Sequence, residues 1–141
     1  MASAAAQLVD TLSGISLFAD VGAPELASIA HIVEERRFAD GERILRQGIS
    51  GSAFHLILDG TAIIRVDGKD YGTLERGDFF GEISILLAEP PVADIVAGRD
   101  LRCAVIAGPA LEAFMLAHPT VLYRMLKAEA RKLQRATSGR T

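Results

Sequence analysis

The chain has 141 residues, half of them hydrophobic, and a formal net charge of −3. That is one domain of ordinary size with enough apolar material for a core. The mildly acidic balance argues against broad binding to nucleic acid or anionic membranes, which need a positive footprint. Cys103, the only cysteine, excludes an intrachain disulfide and a cysteine-based zinc cluster.

The N-terminal stretch MASAAAQLVDTL lacks a basic leader region, so it does not read as a secretory signal. No apolar run reaches the roughly 18–20 residues of a membrane span. The expectation is a cytoplasmic chain without membrane contact.

The first third reads as helix. Ala5 to Leu12 fit one short helix, and Ala23 to Val33 fit a second. Pro24 and Glu25 suit its first turn, and Leu26, Ile29, Ala30 and Val33 share a face. The middle reads as strands broken by glycine. A turn is expected at Asp40-Gly41, and strands at Phe54–Leu58 and Ala62–Val66. Asp59-Gly60 lies between these two strands and Asp67-Gly68 closes the second. Asp-Gly favours hairpins because glycine takes positive φ cheaply. IVAG (95–98) and LRCAVIAG (101–108) give two more strands, with Cys103 buried in the alternation Leu101, Cys103, Val105. Glycine at short intervals across positions 40–100 suggests an antiparallel roll or sandwich.

The last third returns to helix, a short one at Pro109–Ala117 and a longer one from Pro119 to about Ala136. Leu122, Met125, Leu126, Glu129 and Leu133 form one stripe of the longer helix. This stripe suits either a homodimer or packing on the roll, and Glu129 tells against a dry coiled-coil seam. ATSGRT at the end is a polar tail.

His31, His55 and His118 are far apart and lack the His-x-His spacing of a metal-binding roll, so neither a metal site nor a cofactor is expected. No nucleophile elbow is present, so catalysis is not expected either. The best candidate site is GDFFGEISILLAEPPVADI, Gly77 to Ile95. Gly81 admits close backbone approach, and Glu82, Ile83 and Ser84 begin a short helix whose first amides have no helical partner. Glu82 is an odd companion for an anion. It either turns to a different group, such as a sugar hydroxyl, or only complements the helix dipole.

Along nearly the whole chain the sequence resembles the cyclic nucleotide-binding domains. The segment 17–48 looks like the family's entry, with Gly41, Ile44, Leu45 and Gly48 as its Gly-x-x-Ile-Leu-x-x-Gly turn. AFHLILDG, ending at Gly60, resembles the next strand. LERGDFFGEISILLAEPP is similar to the phosphate-binding cassette, and GPALEAFMLAHPTVLYRML looks like the two C-terminal helices. Gly77, Phe80, Gly81, Glu82 and Pro90 fall at the expected spacing.

The resemblance implies an eight-stranded jelly-roll β-roll over about 34–107 with flanking helices. It implies a domain over 1–136, C-terminal helices over about 109–136 and a tail at 137–141. It implies a regulatory domain that binds cyclic AMP or cyclic GMP through Phe80, Gly81, Glu82, Ile83, Ser84, Pro91, Val92 and Ala93. In family members the residues matching Gly81, Ile83 and Ser84 contact the cyclic phosphate, and the one matching Glu82 binds the ribose 2′-hydroxyl. The resemblance also implies signalling through the C-terminal helix to a second copy or a parent protein. With five residues after that helix, DNA binding of the helix-turn-helix kind is not expected from this chain. One departure stands out. The family usually places an arginine directly after the cassette proline, where this chain has Pro91, then Val92 and Ala93 where Thr or Ser is common. Asp94 shares a strand face with Val92 in this reading, and would repel an anion if that face lined the pocket. The alternative is a domain that no longer binds ordinary cyclic nucleotides and acts through protein contact or a less anionic ligand.

Overall fold

The computed structural model describes residues 3–50 and 52–138. The chain divides into two units, Met1–Leu111 and Glu112–Thr141. In the first, α1 (Ala4–Ser13) and α2 (Ala23–Ile32) pack together, joined through a 3₁₀ turn at Ser16–Phe18. Ser3 caps α1, its Oγ accepting from the Ala6 amide at 3.1 Å. Pro24 sits in the first turn of α2, where its missing N–H costs nothing. Leu26 and Ile29 are buried, whereas Val33 lies just past the helix end in extended backbone.

Eight strands follow: β1 (Glu34–Arg37), β2 (Arg43–Leu45), β3 (Phe54–Asp59), β4 (Ala62–Val66), β5 (Lys69–Leu74), β6 (Phe79–Phe80), β7 (Asp94–Ala97) and β8 (Arg102–Ile106). They form two antiparallel sheets in the orders β1-β8-β3-β6 and β2-β7-β4-β5. One core cluster takes Ile57, Phe80, Cys103 and Val105 from the first sheet and Leu45, Ala62, Ile95 and Ala97 from the second. The sheets therefore bury their inner faces on each other, as the jelly-roll reading requires. Cys103 is fully buried, and burial pushes its thiol up to about 12, so it stays protonated at neutral pH.

The two Asp-Gly pairs have different fates. Asp67-Gly68 closes a true hairpin: Val66 pairs with Lys69, and both turn residues have positive φ, 51° and 80°. Asp59-Gly60 does not close one, contrary to the pattern-based expectation. Strand β3 is already flanked by β8 and β6, so β4 joins the other sheet. There the Gly60 amide donates to Asp59 Oδ1 at 2.9 Å, and the Thr61 amide donates to the Arg99 carbonyl at 3.3 Å, so the dipeptide turns the chain from one sheet to the other.

A short helix, α3 (Glu82–Leu87), lies between β6 and β7. Helix α4 (Gly108–Ala117) leads out of the first unit, and α5 (Pro119–Ser138) makes up most of the second. The His118 amide reaches back to the carbonyls of Phe114 and Met115 at 3.1 and 3.2 Å, which ends α4 one residue before Pro119 opens α5. Along α5, Met125 is buried while Leu126 and Leu133 are exposed, so the expected stripe is split between two environments. Glu129 of that stripe pairs with Lys132 at 3.0 Å. Tyr123 is exposed, with Lys127 Nζ 5.8 Å from its ring centroid. The expected tail at 137–141 begins as the end of α5, and its last three residues lie outside the described residues.

Candidate functional site

The loop from Phe80 to Asp94 spans the two sheets. Its first half is fixed to β3. Phe80 pairs with His55 across the strands, and their rings stack at 4.7 Å with 6° between planes. Gly81 then turns the chain at φ 93°, ψ −12°, as the residue that caps α3. A Cβ at this position would lie 2.1 Å from the Ala53 carbonyl oxygen, so no other residue fits the approach. Immediately after it, Glu82 is buried at 3% exposure in the first turn of α3, near the positive end of the helix dipole. Ile83 is half exposed, and Ser84 Oγ donates to the Gly81 carbonyl at 3.4 Å. The helix closes on Ala88 in left-handed backbone, with the Glu89 amide bonded to the Ser84 carbonyl at 3.1 Å.

The second half is fixed to the other sheet. The Pro91 carbonyl accepts from the Gly48 amide at 2.9 Å. Val92 is 75% exposed and Ala93 is half-buried. The sequence-based placement of Asp94 needs correction. Strand β7 starts at Asp94, so Val92 is outside it. Ile95 and Ala97 belong to the core cluster, which puts Asp94 on the opposite, outward face. Its charge is also occupied. Asp94 Oδ1 accepts from the Gln47 amide at 2.7 Å, and Oδ2 lies 3.7 Å from Arg43 Nε. The acid therefore holds β2 to β7 and does not confront a ligand inside the roll.

These contacts fix the relative value of the two partners. The Gln47 bond is short, charge-assisted and made by a side chain that is 17% exposed, whereas Arg43 is 51% exposed and its contact is long. Asp94→Ala is expected to cost about 2 kcal/mol in urea unfolding, and Arg43→Ala under about 0.5 kcal/mol. Equal costs would mean that the ion pair, and not the backbone bond, carries the contact.

Four arginines outside the loop, Arg43, Arg46, Arg65 and Arg99, come into question as substitutes for the missing arginine, and they divide clearly. Arg43 is engaged by Asp94, and Arg65 by Asp70 at 2.7 Å. Arg46 and Arg99 are exposed. Sequence reasoning missed His55, Ala53 and Gln47 as supports of the loop. His55 is buried at 5% exposure and its Nδ1 lies 2.9 Å from the Ala53 carbonyl. A carbonyl only accepts, so the proton sits on Nδ1. No cluster of three potential metal ligands occurs among the described residues, and none of their helices is long and apolar enough to cross a membrane. A cavity of about 340 Å³ lies between α1 and α2, lined by Ala5, Val9, Asp10, Ala27 and His31 among others, and includes no cassette residue.

The family model for the cyclic nucleotide-binding domain matches residues 35–118. The chain belongs to that family. It is 29% identical over 119 residues to a cGMP-dependent protein kinase of Plasmodium berghei, an alignment that takes in 84% of this chain and 14% of the kinase. Among solved structures, it is similar to the regulatory domain of Toxoplasma gondii PKA co-crystallised with cAMP, with TM-score 0.73, 22% identity, and coverage of 89% of this chain and 50% of that one. It is also similar to the regulatory subunit of a cAMP-independent protein kinase A from Trypanosoma brucei, with TM-score 0.79, 19% identity, and coverage of 97% and 50%. The chain thus spans about a seventh of the kinase and half of each regulatory chain.

Proposed function

We propose that this chain is a ligand-sensing regulatory domain that binds a cyclic nucleotide, cyclic AMP or cyclic GMP, through residues 80–93, and that it catalyses no reaction. The amides of Ile83 and Ser84, with Gly81, take the cyclic phosphate, and Glu82 takes the ribose 2′-hydroxyl. Phe80, Pro91, Val92 and Ala93 complete the cassette. The domain covers 1–136, works in the cytoplasm, and passes its state through the C-terminal helix to a second copy or to the rest of a parent protein. The observation that carries this reading is the three consecutive residues that lead from β6 into α3: Phe80 stacked in place, Gly81 in a conformation only glycine supports, and Glu82 buried directly behind it.

The position of Pro91 sets the affinity. A charge-assisted bond contributes about 1.5–3 kcal/mol, so loss of one arginine bond weakens binding roughly ten- to a hundredfold. The outward turn of Asp94 removes the repulsion that the sequence suggested, and leaves a cassette that is weak in cations but not hostile to an anion. Titration calorimetry with cyclic AMP and cyclic GMP tests the reading. Micromolar binding is expected for at least one of them, with a loss of at least tenfold in Glu82→Ala. No binding at millimolar nucleotide would overturn it.

A second reading has its own observation. No Lys or Arg occurs from Gly77 to Gly98. A loop with a buried carboxylate and no cation of its own suits a less anionic ligand or a protein partner. The fold is common to a cAMP co-crystal and to a subunit described as cAMP-independent, so it does not choose between the two readings. The titration does.

A further inference from the structure

The buried imidazole of His55 takes no part in the recognition scheme above, yet it touches both supports of the cassette entry. It lies on β3 in the same orientation as Ile57, facing the core between the sheets. On one side its ring stacks on Phe80, centroids 4.7 Å apart, and Phe38 meets it at 5.8 Å and 53°. On the other, Nδ1–H donates to the Ala53 carbonyl at 2.9 Å. That same carbonyl oxygen is the atom against which Gly81 is packed. One side chain therefore fixes the residue before the turn and the surface on which the turn rests. A phenylalanine would supply only the first contact, and an aliphatic residue neither.

We propose that His55 is the positioning residue of the cassette: it aligns Phe80 by stacking and orients the Ala53 peptide that Gly81 leans on, so that α3 starts in its binding geometry. The inference rests on the cassette being the ligand site, but its structural half is independent of which ligand binds. Loss of either contact frees a peptide or a ring at the base of a six-residue helix, which is too short to hold itself in place.

Hydrogen exchange of the ligand-free full chain separates a positioning role from ordinary core packing. The informative peptide spans 79–88, and the control spans 102–106 of β8, which pairs with β3 on its other edge. His55→Leu is expected to speed exchange in 79–88 about tenfold relative to the control. His55→Phe keeps a ring for Phe80 and His55→Asn keeps a donor for Ala53, and each is expected to restore part of the protection. Unchanged exchange in 79–88, or a parallel rise in the control peptide, would overturn the proposal. So would full rescue by His55→Phe, since the Ala53 bond would then do nothing. Nucleotide titration of the same variants gives the second readout, with about a tenfold weaker affinity expected for His55→Leu. If the wild-type chain binds no cyclic nucleotide, the proposed function fails and the exchange comparison still decides the role of His55.

Discussion

Gly81→Ala is expected to abolish nucleotide binding and to destabilise the fold by about 3 kcal/mol or more, lowering the melting temperature by roughly 10 °C. Two costs add. A non-glycine residue at φ 93° pays on the order of 1–2 kcal/mol for left-handed backbone. Its Cβ would also lie 2.1 Å from the Ala53 carbonyl oxygen, a backbone atom that cannot swing aside like the tip of a long side chain. Gly41 separates the two costs. It has φ 85°, and a Cβ there would meet nothing within 4 Å, so Gly41→Ala carries the dihedral cost alone, about 1–2 kcal/mol. Thermal melts of the two variants side by side check this. If they lose equal stability, the tight approach of Gly81 to Ala53 is not what holds the cassette.

Stability is expected to fall as the pH drops from about 6.5 toward 4, and the fall is expected to shrink in His55→Asn. Burial holds the His55 imidazole at about 4, below its ordinary value of 6.5, with the nearby Arg36 charge adding to the effect and the Ala53 bond opposing it. A histidine lowered in the folded state binds its proton more readily when unfolded. Its contribution is therefore complete above the unfolded value and is lost as the pH falls through the window to the folded one. The full span amounts to about 3 kcal/mol. Carboxylates titrate in the lower part of the same window, so the diagnostic quantity is the difference between wild type and His55→Asn in urea unfolding at pH 7, 5.5 and 4.5. A constant difference across the three would show that His55 does not change its charge on unfolding.

Much of the roll was legible because its strongest strands are apolar. Phe54–Leu58 and Ala62–Val66 announce themselves, and β8 does so through Leu101, Cys103 and Val105. Strand β1 reads Glu-Glu-Arg-Arg and is exposed throughout, and β5 reads Lys-Asp-Tyr-Gly-Thr-Leu with only its last residue half-buried. Edge strands of this kind carry no hydrophobic period, so pattern alone passes over them. The Asp-Gly pairs show a related limit. The dipeptide specifies a turn, but only the pairing of β3 with β6 and β8 decides whether that turn joins neighbours or crosses between sheets.

The cassette divides in the same way. The left-handed turn at Gly81 and the first-turn acid Glu82 were readable from residue chemistry, since both are local properties, and Phe80 was singled out by the family resemblance. The role of Asp94 was not. Its direction depends on where β7 begins, and its partner Gln47 is forty-seven residues away. His55 was also hidden, because a histidine in an apolar strand looks like any core residue until its two neighbours are known. The candidate cassette entry is thus a contiguous stretch, and the support beneath it comes from contacts across the roll.

At the centre of the proposed function, Glu82 reads a sugar hydroxyl in a cassette that lacks its arginine. A site that hydrogen-bonds a hydroxyl with a buried polar group rejects the analogue without it, because the group is left unpaired. The most direct test is a calorimetric titration of the wild-type chain with the preferred cyclic nucleotide and with its 2′-deoxy analogue. Micromolar affinity is expected for the first and a loss of at least about tenfold for the second. Equal affinity for the two would contradict the role given to Glu82.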